Sequence, residues 1–234
     1  MTALPRAILF DLDDTLINAY TRPDLAWLAV AGELEGHIAP LTPAAAAEAI
    51  GVFAERFWAD RQRHRRGRLN LKATRRKIVR GALPMLRARA AHRLADRFTT
   101  YRDEQMHLFE GAHETLDALR RRGVLLALIT NGDGPGQRAK VERFELTHRF
   151  DHIQIEGEHG FGKPEERAYR HALAALGVEC HEAWIVGDNL EWEVAAPQRI
   201  GLHAVWCDHQ GAGLPDGSDV RPDRIIRTVR DLIT

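Results

Sequence analysis

Residues 7–18 read AILFDLDDTLIN, four apolar residues running directly into the acids Asp11, Asp13 and Asp14. Carboxylates this close repel, and each raises the proton affinity of the others. A surface tail tolerates that crowding, but the end of a buried strand needs a counter-charge, and a divalent metal ion is the simplest. Other polar groups follow apolar stretches: Thr130 and Asn131 after VLLALI, Lys163 in GFGKPE, Asp188 after AWIVG. Brought together, Asp11, Asp13 and Asp188 offer three carboxylates beside a hydroxyl, an amine and loop amides, which suits a doubly charged anion beside a divalent cation. A carboxylate that attacks phosphorus splits one hard step into two. Nucleophile and phosphate are both anions, so Mg²⁺ with its hard oxygen ligands has to bridge them. Asp11 and Asp188 are its natural ligands. Lys163 neutralises further charge, and Thr130 with nearby amides holds the phosphoryl oxygens. Asp13 points to the same side as Asp11 if the strand geometry persists, where it can protonate a leaving oxygen and later activate water.

These groups must be placed by a scaffold. Residues 6–10 form a short apolar run of the kind that makes a buried parallel strand. From 19 to 109 no strand-like run occurs, and the spacing predicts helices over 23–36, 43–63, 70–89 and 90–106, with Thr42-Pro43 as cap and first turn of the second. After Gly111 strands and helices alternate. Helices are expected at 112–121, 137–146 and 165–176, and strands at 124–129, 152–155, 183–186, 203–206 and 225–226. Such alternation implies an α/β fold, a Rossmann-like parallel sheet between helices. Ligands bind beyond the carboxyl ends of its strands, where the candidate residues fall. The expected domains are an α/β core of 1–18 and 110–234 and a helical insertion of 19–109.

Asp11-Leu12-Asp13-Asp14-Thr15, Ile129-Thr130-Asn131-Gly132, Gly162-Lys163-Pro164 and Gly187-Asp188-Asn189-Leu190-Glu191-Trp192-Glu193, in that order, resemble the four motifs of the haloacid dehalogenase-like (HAD) hydrolase superfamily. The resemblance covers essentially the whole chain, since the helical insertion is similar to that family's cap domain. It implies that Asp11 is the nucleophile and a Mg²⁺ ligand, and that Asp13 is the general acid and base and lends its backbone carbonyl to the metal. Thr130 and the Asn131 amide would bind phosphate, Lys163 would bind phosphate and orient Asp11, and Asp188 would bind Mg²⁺. Glu193 stands where the family usually has aspartate, and would reach the metal through a bound water; Glu191 is the second candidate for that part. The true dehalogenases and the phosphonate-cleaving branch lack the counterpart of Asp13, so its presence resembles a phosphatase or a phosphomutase. The implied activity is Mg²⁺-dependent hydrolysis of a small phosphomonoester (phosphoglycolate, a nucleoside monophosphate or a sugar phosphate) through an aspartyl-phosphate. A phosphomutase of the beta-phosphoglucomutase type is the alternative.

The rest of the chain bounds this reading. Any one motif alone has an ordinary explanation: Asp-x-Asp as a turn, Asp188-Asn189 as a helix cap, Lys163 as a solvated loop lysine. The 234 residues suffice for a core with an insertion, and formal net charge is zero, which argues against a field that draws nucleic acid or membrane. Residues 56–80 hold eleven Lys and Arg. They read as a solvated helical face, as a source of substrate contacts from Arg68, Asn70 and Lys72, or as a binding module for anionic partners. Gly132-Asp133-Gly134-Pro135-Gly136 lacks the ending of a nucleotide-binding loop and reads as a flexible connection at a pocket rim. The twelve histidines, His148, His152, His203 and His209 among them, lack zinc-site company. Cys180 and Cys207 read as reduced thiols. Asp14 is expected to turn away to cap local backbone, and Gly111 to serve as a hinge or a helix start. The N-terminal apolar stretch is too short for a signal peptide, and no run approaches the roughly 18 residues of a membrane helix. A soluble cytoplasmic protein with a small phosphorylated metabolite as partner is expected; oligomeric state is left open.

Overall fold

The computed structural model describes residues 4–19 and 22–233. Chain contacts divide it into two units, one formed by residues up to Asn18 together with those from His107 onward, the other by Ala19–Met106.

The first unit begins with β1 (Ala7–Phe10), all four residues buried, and β2 (Ile17–Asn18). The second unit is helical throughout: α1 (Pro23–Glu33), α2 (Glu35–Ile38), α3 (Pro43–Ala59), α4 (Arg61–Arg68), α5 (Leu71–Ala82) and α6 (Ala88–Gln105). Trp27 stacks on Phe98 with ring centroids 3.6 Å apart, inside a core that also takes Val30, Ile50, Ile78 and Leu94. The first three predicted helices are broken or shortened, while the fourth keeps its length and runs 88–105 against the expected 90–106, and local chemistry explains the breaks. Asp60 ends α3 in extended geometry and accepts the Arg63 N–H, which starts α4. Pro84 stands in the break after α5, because proline lacks the N–H that continuing the helix would need. Thr42 caps α3 through the Ala45 N–H, with Pro43 in the first turn.

The chain re-enters the first unit at β3 (His107–Leu108), paired antiparallel with β2. The crossing therefore lies at 106/107 rather than at 109/110, and a two-stranded ribbon too short for a sequence signal marks it. Gly111 lies beyond that point with φ 78°, at the N-terminus of α7 (Ala112–Arg121); a helix start accounts for it. β4 (Leu125–Thr130), α8 (Gly134–Arg143), β5 (His152–Ile155), α9 (Glu156–His159), α10 (Glu166–Leu176), β6 (Ala183–Gly187), α11 (Ala196–Gln198), β7 (His203–Cys207) and β8 (Arg224–Ile226) follow. A wide helical turn, Leu190–Ala195, joins β6 to α11. The six-stranded sheet runs β5-β4-β1-β6-β7-β8 and every pairing is parallel. Its near-continuous apolar strands are those of a sheet covered on both faces.

The zero net charge is a sum of opposites. The helical unit carries 17 Lys and Arg against 9 Asp and Glu, leaving +8, and the α/β unit 16 against 24, leaving −8. Overall neutrality thus says little about the field near either unit. Of the three residues expected to contact substrate from this unit, Asn70 caps α5 by accepting the Ala73 N–H, Arg68 closes α4, and Lys72 is exposed.

Candidate active site

β1 lies between β4 and β6, with Phe10 in register with Leu128 of β4 and Val186 of β6. Because the three strands are parallel, the residues at their carboxyl ends, Asp11, Thr130 and Asp188, emerge side by side.

Lys163 reaches this edge from the loop between α9 and α10. It is 1% exposed, and its Nζ lies 2.6 Å from Asp11 Oδ1 and 2.7 Å from Glu193 Oε1. Asn131 holds the loop: its Oδ1 accepts the Lys163 N–H at 2.9 Å and its Nδ2 donates to the Lys163 carbonyl at 2.8 Å. A Cβ at Gly162 would lie 2.3 Å from that Oδ1, so the approach depends on glycine. The Asn131 side chain therefore positions Lys163, a part distinct from the backbone contact expected of this residue.

Glu193 lies on the wide turn after β6. Asn189 opens that turn by accepting the N–H groups of Glu191 and Trp192, and Glu193 Oε2 accepts the Asn189 N–H at 2.9 Å. A Cβ on Gly187 would fall 2.1 Å from Glu193 Cγ, so the side chain lies where only glycine leaves room. Glu193 is thus engaged with Lys163 and an amide, as a counter-ion, and not displayed as a free carboxylate. Glu191, the second candidate, is exposed and pairs with Arg199 at 3.3 Å. Trp192 is half-buried, and its carbonyl accepts the Tyr169 hydroxyl.

The strand geometry does not persist past Asp11. Thr15, Leu16 and Ile17 all donate to the Leu12 carbonyl, and Asp14 takes a left-handed φ of 59°. Asp11 Oδ2 accepts from the Thr15 hydroxyl at 3.2 Å. Asp13 faces a different cation, Lys140 of α8, whose Nζ lies 2.7 and 2.8 Å from its two oxygens. Gln137 Nε2 donates to Asp13 Oδ2 at 3.0 Å and to Thr130 Oγ1 at 2.6 Å. Neither residue was singled out by sequence. α8 begins at Gly134, three residues ahead of expectation, because Asp133 caps it through the Gly136 N–H. What reads as a flexible glycine loop is largely the first helical turn.

The electrostatics expose a deficit of positive charge. Burial works to lower Lys163, but attraction to Asp11 and Glu193 outweighs it and pushes the amine up, so it stays an ammonium. One ammonium serves two carboxylates. Burial pushes Asp11 up, against the pull of Lys163, and Asp13 adds to the rise. Burial likewise raises Glu193, to about 7. Asp188 is held well above the usual carboxylate range by loss of hydration and by the charges of Asp11, Glu193 and Asp14, with Lys163 opposing. Asp188 also reaches solvent, so the neighbouring charges weigh most in this rise. Asp14, expected to turn away, contributes its charge here.

Among the described residues no three His, Cys, Asp or Glu side chains form a metal-binding group by themselves. The carboxylates of Asp11 and Asp188, with negative charge in excess around them, would nevertheless suit a hard dication. Both cysteines are free, and no described helix is long and apolar enough to cross a membrane.

Known proteins resemble this chain in sequence and in fold. The chain is 34% identical to a phosphoserine phosphatase of Thermus thermophilus, over 97% of each sequence. It is 27% identical to a glyceraldehyde 3-phosphate phosphatase of Pyrococcus furiosus, over 86% of this chain and 80% of that one. The crystal structure of the HAD-hydrolase YfnB from Bacillus subtilis, bound to magnesium, shares the fold with a TM-score of 0.73 at 20% identity, covering 98% and 97% of the two chains. The model of the haloacid dehalogenase-like hydrolases matches residues 5–201, a span that takes in the carboxyl ends of β1, β4 and β6 and the Lys163 loop, and the chain belongs to that family.

Proposed function

We propose that this protein is a Mg²⁺-dependent phosphatase that hydrolyses a small phosphomonoester through an aspartyl-phosphate on Asp11. The observation that carries the reading is the buried Lys163 ammonium shared by Asp11 and Glu193, within a strand-end cluster whose carboxylates exceed its cations. Held by the carboxylates of Asp11 and Asp188 and the carbonyl of Asp13, Mg²⁺ would neutralise the repulsion between nucleophile and phosphate. Lys163 fixes Asp11 through the 2.6 Å contact and lends charge to the phosphoryl group. Glu193 keeps that lysine in place. Thr130 donates its hydroxyl to a phosphoryl oxygen. Asp13 protonates the leaving oxygen and then takes a proton from water. The helical unit is read as the family's cap domain.

The relatives named above act on phosphoserine and on glyceraldehyde 3-phosphate, both short phosphomonoesters. These join phosphoglycolate, nucleoside monophosphates and sugar phosphates on the panel to test. The experiment is phosphate release with Mg²⁺, with EDTA, and from Asp11→Asn. Release that requires both metal and Asp11 is expected. An isomerised sugar phosphate without free phosphate would turn the reading to a phosphomutase, and release by Asp11→Asn would overturn it.

A further inference from the structure

Lys140 and Gln137 are three residues apart on α8 and therefore share a face. Both meet the Asp13 carboxylate, Lys140 at both oxygens and Gln137 at one. The same Gln137 nitrogen reaches Thr130 Oγ1. An amide NH₂ has two hydrogens, and this one gives one to each partner. The nitrogen must face this way, because the amide oxygen would be repelled by the carboxylate. Thr130 Oγ1 is thereby made an acceptor, so its own hydrogen turns away from Gln137. There it meets the Asn131 carbonyl at a long 3.5 Å, a weak contact that a phosphoryl oxygen can replace. Gln137 is 3% exposed and Thr130 2%. The helix that carries Gln137 and Lys140 is held backbone to backbone: a Cβ on Gly157 would lie 2.4 Å from the Gly134 nitrogen.

We propose that Lys140 and Gln137 are positioning residues, which aim the Asp13 carboxyl at the leaving oxygen and tie its placement to the hydroxyl that grips the phosphate. The inference rests on the phosphatase reading above. In the first half-reaction Asp11 forms a bond to phosphorus as the bond from phosphorus to the leaving oxygen breaks. The electron pair stays on that oxygen, which takes the proton of Asp13. In the second, a water oxygen bonds phosphorus, Asp13 recovers a proton from that water, and the electron pair of the phosphorus–Asp11 bond returns to Asp11. Asp13 must meet the same locus twice, which a free side chain does poorly.

The test follows kcat/KM with Mg²⁺ over substituted phenyl phosphates, from p-nitrophenyl phosphate to phenyl phosphate. This parameter reports the first half-reaction whichever step limits turnover. Lys140→Met and Gln137→Leu should lose about 10–100-fold on phenyl phosphate, whose leaving group needs the proton. On p-nitrophenyl phosphate, whose leaving group does not, Lys140→Met should lose less than about 3-fold, while Gln137→Leu, which also releases the Thr130 hydroxyl, should carry an even loss across the series beneath its leaving-group-dependent one. In an Asp13→Asn background Lys140→Met should cost nothing more. A uniform loss across the series, an unchanged dependence on the leaving group in both variants, or a further loss beside Asp13→Asn would overturn the inference. Hydrolysis that survives Asp11→Asn would bring down the phosphatase reading beneath it; Asp11-dependent hydrolysis with unchanged leaving-group dependence would bring down the positioning role alone.

Discussion

Lys163→Met isolates the central electrostatic claim. Methionine keeps most of the stem and removes only the ammonium, so the change leaves two buried carboxylates, Asp11 and Glu193, without their shared cation. Removing one partner of a buried pair costs about 3–5 kcal/mol. That is a large part of the roughly 5–15 kcal/mol that holds a domain together. For a chain of this size about 2–4 °C of melting temperature goes with each kcal/mol, so the α/β unit should melt roughly 6–20 °C lower. The deficit should depend on pH in one direction. Glu193 is raised from 4.5 to about 7 even beside the lysine, and loss of the ammonium raises it further. A group with a raised folded pKa contributes stability that is complete below its unfolded value and is lost as pH rises through the folded one. The variant should therefore fall furthest behind the wild type near pH 8 and recover toward pH 5, where the carboxylates bind protons instead. Calorimetric melts in EDTA at the two pH values make the measurement. A deficit under about 1 kcal/mol, or one equal at both pH values, would refute the claim that Lys163 is the buried counter-charge.

Three other outcomes follow from the same geometry. Mg²⁺ at about 100 times its Kd should stabilise the wild type by about 2.7 kcal/mol; Asp188→Asn should abolish the gain, and at fixed Mg²⁺ the gain should shrink as pH falls, because protons compete for the raised carboxylates of Asp11 and Asp188. Gly187→Ala places a Cβ 2.1 Å from Glu193 Cγ, so it should cost about 1–3 kcal/mol and most of the activity, read in melts and phosphate release; a variant as active as wild type would show that Glu193 can leave Lys163 without consequence. Trp27→Ala removes the stack on Phe98 and should cost about 3–5 kcal/mol, seen as faster hydrogen exchange in α3, α5 and α6 with β1, β4 and β6 unchanged; equal loss in the strands would mean that the two units unfold as one.

The strands and the residues at their ends were legible for one reason. A parallel strand buried on both faces must be a run such as AILF or LLALI, and the first polar residue after it must stand at the ligand-binding edge. Asp11, Thr130 and Asp188 announce themselves by position. Gln137 and Lys140 have no such signal, since a glutamine and a lysine three apart occur on many solvated helices. The sequence also disguised the helix that presents them. Glycine is about 1 kcal/mol worse than alanine within a helix, so Gly134-Pro135-Gly136 reads as loop. It is helical because Asp133 caps it and because the Gly157 backbone packs against Gly134 with no space for side chains. Glu193 makes the same point from the other side. Its place in the motif was visible, but a carboxylate five residues after Asp188 can serve a metal or an amine. Gly187 leaves the side chain room to pass beneath β6's end, Asn189 fixes one oxygen, and Lys163 arrives from a loop held by Asn131. The Glu193 contact with Lys163 depends on three segments distant in the chain, so it becomes readable only once they are folded together.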